Sequence, residues 1–184
     1  PREAMRPVYG LAECSVGLAV SPRRVPARVD HLDRSFQTTG RATPSTAADA
    51  LAFVACGVPL PEHEIRVVDH GDVVVDERIE GRVQFRGPSM MAGYYRNPEA
   101  TRAITTDDGW IDTGDLGYLA DGELFLTGRR KDVIIKGGRN IYPQEAENRL
   151  ITHPKVQDVA VIGVPNEEFG EEVKAVVQPM QMED

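Results

Sequence analysis

At Gly128-Arg129-Arg130-Lys131-Asp132 the chain changes pattern, and no single repeating architecture can run across that point. Before it, from Phe53 onward, short β-type runs follow one another: residues 64–69, 72–75, 82–86 and 123–127. Gly71, Gly81, Gly87 and Gly122 punctuate them. Partial alternation at 66–68 and 82–85 predicts half-buried antiparallel strands. Pro98-Glu99-Ala100-Thr101-Arg102-Ala103 reads as a helix start with proline near its first position. After Lys131 the order becomes β, α, β, β. The strand Val133–Ile135 precedes a helix from Pro143 to Thr152, whose early acids and late Arg149 match the helix dipole. An apolar strand from Val159 to Val164, closed by Pro165, leads to a last strand from Gly170 to Val177. Residues 21–50, rich in proline and polar side chains, read as a long loop, functional or mobile. The fold class expected is mixed α/β, a β-rich part followed by a small α/β part.

Bulk properties narrow the function. The 184 residues carry 21 basic and 29 acidic side chains, a formal charge of −8, which argues against nonspecific nucleic-acid binding. Cys14 and Cys56 have no metal-ligand spacing and the four histidines are scattered, so neither a zinc nor a disulfide scaffold is expected, and a reducing cytoplasm fits. No apolar stretch approaches the roughly 20 residues of a spanning helix. The N-terminus lacks a signal-peptide apolar core.

The chemistry lies in polar residues that no core requires. Trp110-Ile111-Asp112-Thr113-Gly114-Asp115-Leu116-Gly117 is followed by the Gly-Arg-Arg-Lys-Asp string and by Gly137-Gly138-Arg139-Asn140-Ile141-Tyr142-Pro143-Gln144-Glu145. Carboxylates can accept ribose hydroxyls, guanidinium can hold phosphate oxygens, and glycine lets backbone approach a ligand. Together they point to a nucleotide. The segment 38–46 is a decoy: it has one glycine and no lysine, and no Gly-x-x-x-x-Gly-Lys-Ser/Thr phosphate loop occurs in the chain.

With Tyr9-Gly10-Leu11-Ala12-Glu13 and the run Glu80-Gly81-Arg82…Gly87-Pro88-Ser89…Gly93-Tyr94-Tyr95, these segments resemble successive core motifs of the adenylate-forming superfamily. That group includes acyl-CoA synthetases, luciferases, nonribosomal adenylation domains and fatty acyl-AMP ligases. The resemblance runs from Tyr9 nearly to Pro179. It implies that a carboxylate attacks the α-phosphate of ATP, giving acyl-adenylate and pyrophosphate, before a thiol takes the acyl group. The long connection 14–55, Ala12 in place of the threonine common in CoA ligases, and the phrase Ile134 to Gln144 are most similar to the fatty acyl-AMP ligases. In that branch the acyl group passes to the phosphopantetheine of an acyl carrier protein. The alternatives are an acyl-CoA synthetase, which would use coenzyme A, and a non-catalytic carrier- or nucleotide-binding module.

By the same resemblance, residues 1–128 would be the C-terminal part of a large AMP-binding domain with a β-barrel-like subdomain at 53–128. A hinge at 129–132 and a truncated small domain, 133–184, would follow. The phosphate loop would precede Pro1 and a catalytic lysine follow Asp184, so the chain alone is expected to be inactive. Glu13 matches a Mg2+-holding acid, Tyr9 and Gly10 an adenine platform, Asp115 the ribose acceptor and Arg129 a ribose–phosphate contact. Lys131 matches the hinge position, and Gly138 a loop lining the pantetheine tunnel. Asp112 reads as a turn or cap residue outside the site. ATP or AMP, Mg2+ and a fatty acid are the implied ligands.

Overall fold

The computed structural model describes residues 4–180 and divides the chain into two compact units, 1–127 and 128–184. In the first, eight strands form one strand-dominated sheet: β1 (Val8–Tyr9), β2 (Ala19–Val20), β3 (Val29–Leu32), β4 (Leu51–Pro59), β5 (Glu64–Val68), β6 (Gly81–Arg86), β7 (Ile111–Ala120) and β8 (Glu123–Arg129). Their order is β1-β2-β4-β8-β7-β6-β5, with β3 also paired to β4. The pairs β1–β2, β2–β4, β3–β4, β4–β8, β5–β6 and β6–β7 are antiparallel. Two short helices, α1 (Phe36–Thr39) and α2 (Pro98–Ile104), complete the unit. The mixed α/β class expected from the sequence is the one observed.

Residues 21–50 are not the structureless loop that their composition suggests. Strand β3 pairs with β4 from Val29↔Val54 to Leu32↔Leu51, and Leu32, Phe36 and Ala42 are buried. Phe36, Phe53 and Tyr118 meet edge to face, and Tyr118 stacks on Phe125 at 5.0 Å. Asp30 occupies an inward position of β3 at 8% exposure. There it accepts hydrogen bonds from Arg78 at 2.9 Å and Tyr118 at 3.0 Å. The decoy segment is equally ordinary: Gly40, at φ +62°, caps α1 by donating to the Phe36 carbonyl.

Two other expectations shift. Residues 72–75 form a turn with an isolated Val68↔Val74 bridge rather than a strand. Val83, Gln84 and Phe85 are all buried, because Gln84 accepts from Arg66 Nε at 2.8 Å and donates to Asp72 at 2.8 Å. Trp110, also buried, sits between the guanidinium groups of Arg66 at 4.3 Å and Arg86 at 4.7 Å.

The second unit carries a four-stranded sheet in the order β10-β9-β12-β11 and one helix. Strands β9 (Ile134–Lys136) and β10 (Arg139–Ile141) form a hairpin that the expected β, α, β, β order lacked. Its two loop residues, Gly137 and Gly138, both have positive φ (56° and 77°), a backbone shape that glycine adopts without Cβ strain. Helix α3 (Pro143–Leu150) starts with proline in its first turn and ends two residues before Thr152. Glu147 ties it to the sheet by accepting the Val161 amide at 2.8 Å. Strand β11 (Val156–Asn166) does not stop at Pro165, which pairs with Glu171 of β12 (Gly170–Pro179). β11 is the outer strand, where proline's missing N–H is tolerated. No helix among the described residues is long and apolar enough to cross a membrane.

Replacing Asp30 by alanine would leave the Arg78 guanidinium and the Tyr118 hydroxyl without their carboxylate. The expected loss is about 2–3 kcal/mol of unfolding free energy, lower than for a fully buried pair because Arg78 is partly solvated. Denaturant midpoints of the variant against the parent measure it.

Candidate functional site

The segment Tyr9 to Leu18 folds on itself. Leu11 O accepts the amides of Cys14 and Val16, and Tyr9 O accepts that of Leu18 at 2.9 Å. Ala12–Cys14 form a 3-10 turn, which carries Glu13. The loop closes so tightly that a Cβ at Gly10 would lie 1.4 Å from the Val16 carbonyl oxygen. The glycine is therefore required by the chain's own backbone, whatever it clears for a ligand. Val16 has a φ of 96°, an outlying conformation for a β-branched residue. The turn is overdetermined by its neighbours, since Glu13 O accepts the Met91 amide at 2.8 Å and Ser15 Oγ donates to Ser89 O at 3.4 Å.

Two carboxylates on this surface are each held by a phenol from a distant segment. Tyr9 Oη donates to Asp115 Oδ2 at 2.5 Å, across 106 residues of sequence. Tyr94 Oη donates to Glu13 Oε1 at 2.5 Å, across 81 residues. Burial pushes the Tyr9 phenol well above its usual range, and the Asp115 hydrogen bond adds to the shift, so the phenol stays a donor at any working pH. The Glu13 hydrogen bond, then burial, raises Tyr94 in the same sense. The Tyr9 ring is only 7% exposed and belongs to the core with Leu18, Ala19, Val83 and Phe85. Its polar contribution to the surface is the phenol rather than an open aromatic face for stacking.

Asp115 lies half-buried inside β7, not in a loop. Thr113 Oγ1 donates to Val83 O at 3.0 Å and accepts the Asp115 amide at 3.1 Å, while Gly114 turns the chain at φ +78°. Asp112 accepts the Gly114 amide at 2.9 Å, the turn role expected of it. It also pairs with Arg82 at 2.7 Å, which the sequence did not suggest. Burial raises the Cys56 thiol, and the Asp115 charge adds to that shift. A separate cleft of about 430 Å3 is lined by Arg66, Asp72, Arg82, Asp108 and Asp112 among others. Its guanidinium groups are already held by carboxylates, Arg66 by Asp108 and Arg82 by Asp72 and Asp112.

The remaining candidates lie in the second unit. Arg129 ends β8, and its carbonyl accepts the amides of Asp132 at 2.9 Å and Val133 at 3.1 Å. Lys131 is exposed within that turn. Gly138 sits at the tip of the β9–β10 hairpin, where a Cβ would meet nothing within 4 Å. Of the candidate site residues, the structure thus joins Tyr9 to Asp115 directly and sets Gly10 and Glu13 in the same turn. Tyr94 and Thr113, which orient the two acids, were not singled out from the sequence. Only their positions inside the Gly-Tyr-Tyr and Thr-Gly-Asp phrases hinted at them.

A divalent cation can be tested against the donor set. No group of three or more His, Cys, Asp or Glu side chains that could hold a metal occurs among the described residues. The single Glu13 carboxylate is nevertheless a hard oxygen donor of the kind Mg2+ accepts alongside phosphate oxygens and water. That set fits an ion carried in with a nucleotide.

Comparison with known proteins agrees with these motifs. The family model described as the AMP-binding enzyme C-terminal domain matches residues 145–184. A long-chain-fatty-acid–CoA ligase of Escherichia coli O157:H7 is 41% identical over 170 residues, 92% of this chain and 26% of that protein. A solved structure from a study of fatty acyl-adenylate ligases of E. coli and L. pneumophila superposes with a TM-score of 0.87 at 35% identity, covering 98% of this chain and 33% of the other. ATP-bound MatB from Rhodopseudomonas palustris gives 0.69 at 34% identity, covering 95% and 30%. The chain spans between about a quarter and a third of the length of these proteins.

Replacing Gly10 by alanine should displace the whole turn, because the obstructing atom is backbone. A loss of at least about 2 kcal/mol is expected. Thermal unfolding reads the stability, and amide exchange at Cys14, Val16 and Leu18 reads the turn itself.

Proposed function

This chain belongs to the adenylate-forming superfamily of AMP-binding enzymes, and we propose that it is part of a fatty acyl-AMP ligase. The whole enzyme would activate a fatty acid with ATP to acyl-adenylate and pyrophosphate, then pass the acyl group to the phosphopantetheine of an acyl carrier protein. The observation that carries the nucleotide reading is the 2.5 Å hydrogen bond joining the Tyr-Gly-Leu-Ala-Glu segment to the Thr-Gly-Asp segment. It holds a half-buried carboxylate in a fixed place beside the turn that carries Glu13.

In this reading Asp115 accepts the two ribose hydroxyls, and the permanent, planar charge of Arg129 contacts ribose and phosphate. Glu13 would hold Mg2+, which when bound neutralises phosphate charge. Tyr94 would keep that carboxylate oriented by its hydrogen bond. Lys131, in the turn after β8, would be the hinge at which the small domain reorients between half-reactions. Gly138 would line the path of the pantetheine arm. The chemistry is mainly positioning and charge stabilisation, so each group acts by where it is held.

The acyl-AMP ligase branch is supported by the 0.87 superposition and by the long connection 14–55. The acyl-CoA synthetase reading is favoured by a different observation, the 41% identity to a long-chain-fatty-acid–CoA ligase. The acceptor decides between them. With ATP, a fatty acid and coenzyme A, the full-length enzyme containing this chain is expected to accumulate acyl-adenylate, and with a holo acyl carrier protein to acylate it. Efficient acyl-CoA formation would assign the protein to the synthetases. Replacing Asp115 by alanine in that enzyme should lower nucleotide affinity by roughly tens to thousands of fold, since charge-assisted hydrogen bonds contribute about 1.5–3 kcal/mol each. Titration calorimetry with AMP measures it, and unchanged affinity would remove Asp115 from the site.

A further inference from the structure

We propose that Tyr9 is a positioning residue whose phenol fixes the Asp115 carboxylate for a vicinal diol, so that selectivity for an intact ribose depends on a hydroxyl that need not touch the nucleotide. The proposal rests on the reading of Asp115 as the ribose acceptor and extends it. A carboxylate engages two neighbouring hydroxyls well only when both oxygens face them together, which requires its side-chain torsions to be set in advance.

Two of the contacts of Asp115 act on those torsions. Thr113 Oγ1 receives the Asp115 amide and fixes the backbone, and Tyr9 Oη reaches Oδ2 at 2.5 Å and fixes the side chain. Tyr9 cannot swing away. Its ring is enclosed in the core, its carbonyl is bound by the Leu18 amide, and the next residue packs against the Val16 carbonyl. The aromatic ring is thus a rigid arm that delivers one donor to one acid. The simpler view, that Asp115 exists to satisfy a buried tyrosine, predicts an effect on stability alone.

The test uses the full-length enzyme with Tyr9→Phe, Asp115→Asn and the double variant, assayed for kcat/KM with ATP, 2′-deoxy-ATP and 3′-deoxy-ATP. The parent should prefer ATP. Tyr9→Phe is expected to erase roughly ten- to a hundredfold of that preference, the scale of one charge-assisted hydrogen bond, while the KM for the fatty acid stays unchanged. The double variant should lose little more than Asp115→Asn alone, because both act through one carboxylate. Calorimetric affinities for AMP and 2′-deoxy-AMP provide a readout independent of turnover. Should Tyr9→Phe fold poorly, Tyr9→Met offers a smaller, flexible apolar side chain that also lacks the hydroxyl. If hydroxyl-free variants keep the parent's preference for ATP while Asp115→Asn loses it, the positioning role is overturned and the ribose reading survives. If Asp115→Asn also keeps that preference, the ribose reading itself fails and the proposal falls with it.

Discussion

Strand β4 pairs with β3 from Leu51 to Val54, with β8 at Ala55 and Gly57, and with β2 at Val58 and Pro59. One strand can serve three partners only by bending where it passes from one to the next, and the bend falls at Gly57. That residue has φ +91°, and a Cβ there would lie 2.1 Å from the Val20 carbonyl carbon. The register of β2 on β4 in turn sets β1, which brings Tyr9 to its place. The register of β8 on β4 sets β7, the neighbour of β8 in the sheet and the strand that carries Asp115. The Tyr9–Asp115 hydrogen bond therefore reports whether both sides of β4 are correctly assembled.

Much of the local structure was legible in the residue pattern. α2 and α3 fall where proline and helix-end charges put them, and β5 and β6 lie where strands were expected, although their burial does not alternate. What escaped is explained by side chains that work against their usual meaning. Asp30 stands at an inward position and hides the alternation of β3, because only the folded chain supplies Arg78 and Tyr118 as its partners. Within β7 the glycines and acids of 112–117 gave no strand signal, only that of a polar run suited to a nucleotide. Yet Gly117 is in the strand because a Cβ there would meet the Phe125 carbonyl oxygen at 2.5 Å. Pro165 reads as a strand terminator, but on an outer strand it interrupts nothing.

The candidate site was legible as a set of segments rather than as a geometry. Motif order singled out Tyr9, Glu13 and Asp115, but nothing in their spacing said which atoms would meet. A tyrosine next to glycine suggests an exposed ring, whereas long-range packing encloses this ring and leaves the phenol to act. Tyr94 and Thr113 could not be chosen in advance. A hydroxyl's role depends on which acceptor lies within about 3 Å, and that is a property of the assembled sheet.

The arginine-flanked indole has a practical consequence. Trp110 is the chain's sole tryptophan, enclosed in the first unit between two guanidinium groups. Emission excited at the red edge of the absorption band, where tyrosine is silent, is a built-in optical reporter of that unit alone. A change in far-ultraviolet dichroism that does not coincide with a change in this signal would mark a transition that the surroundings of Trp110 do not share, without any label.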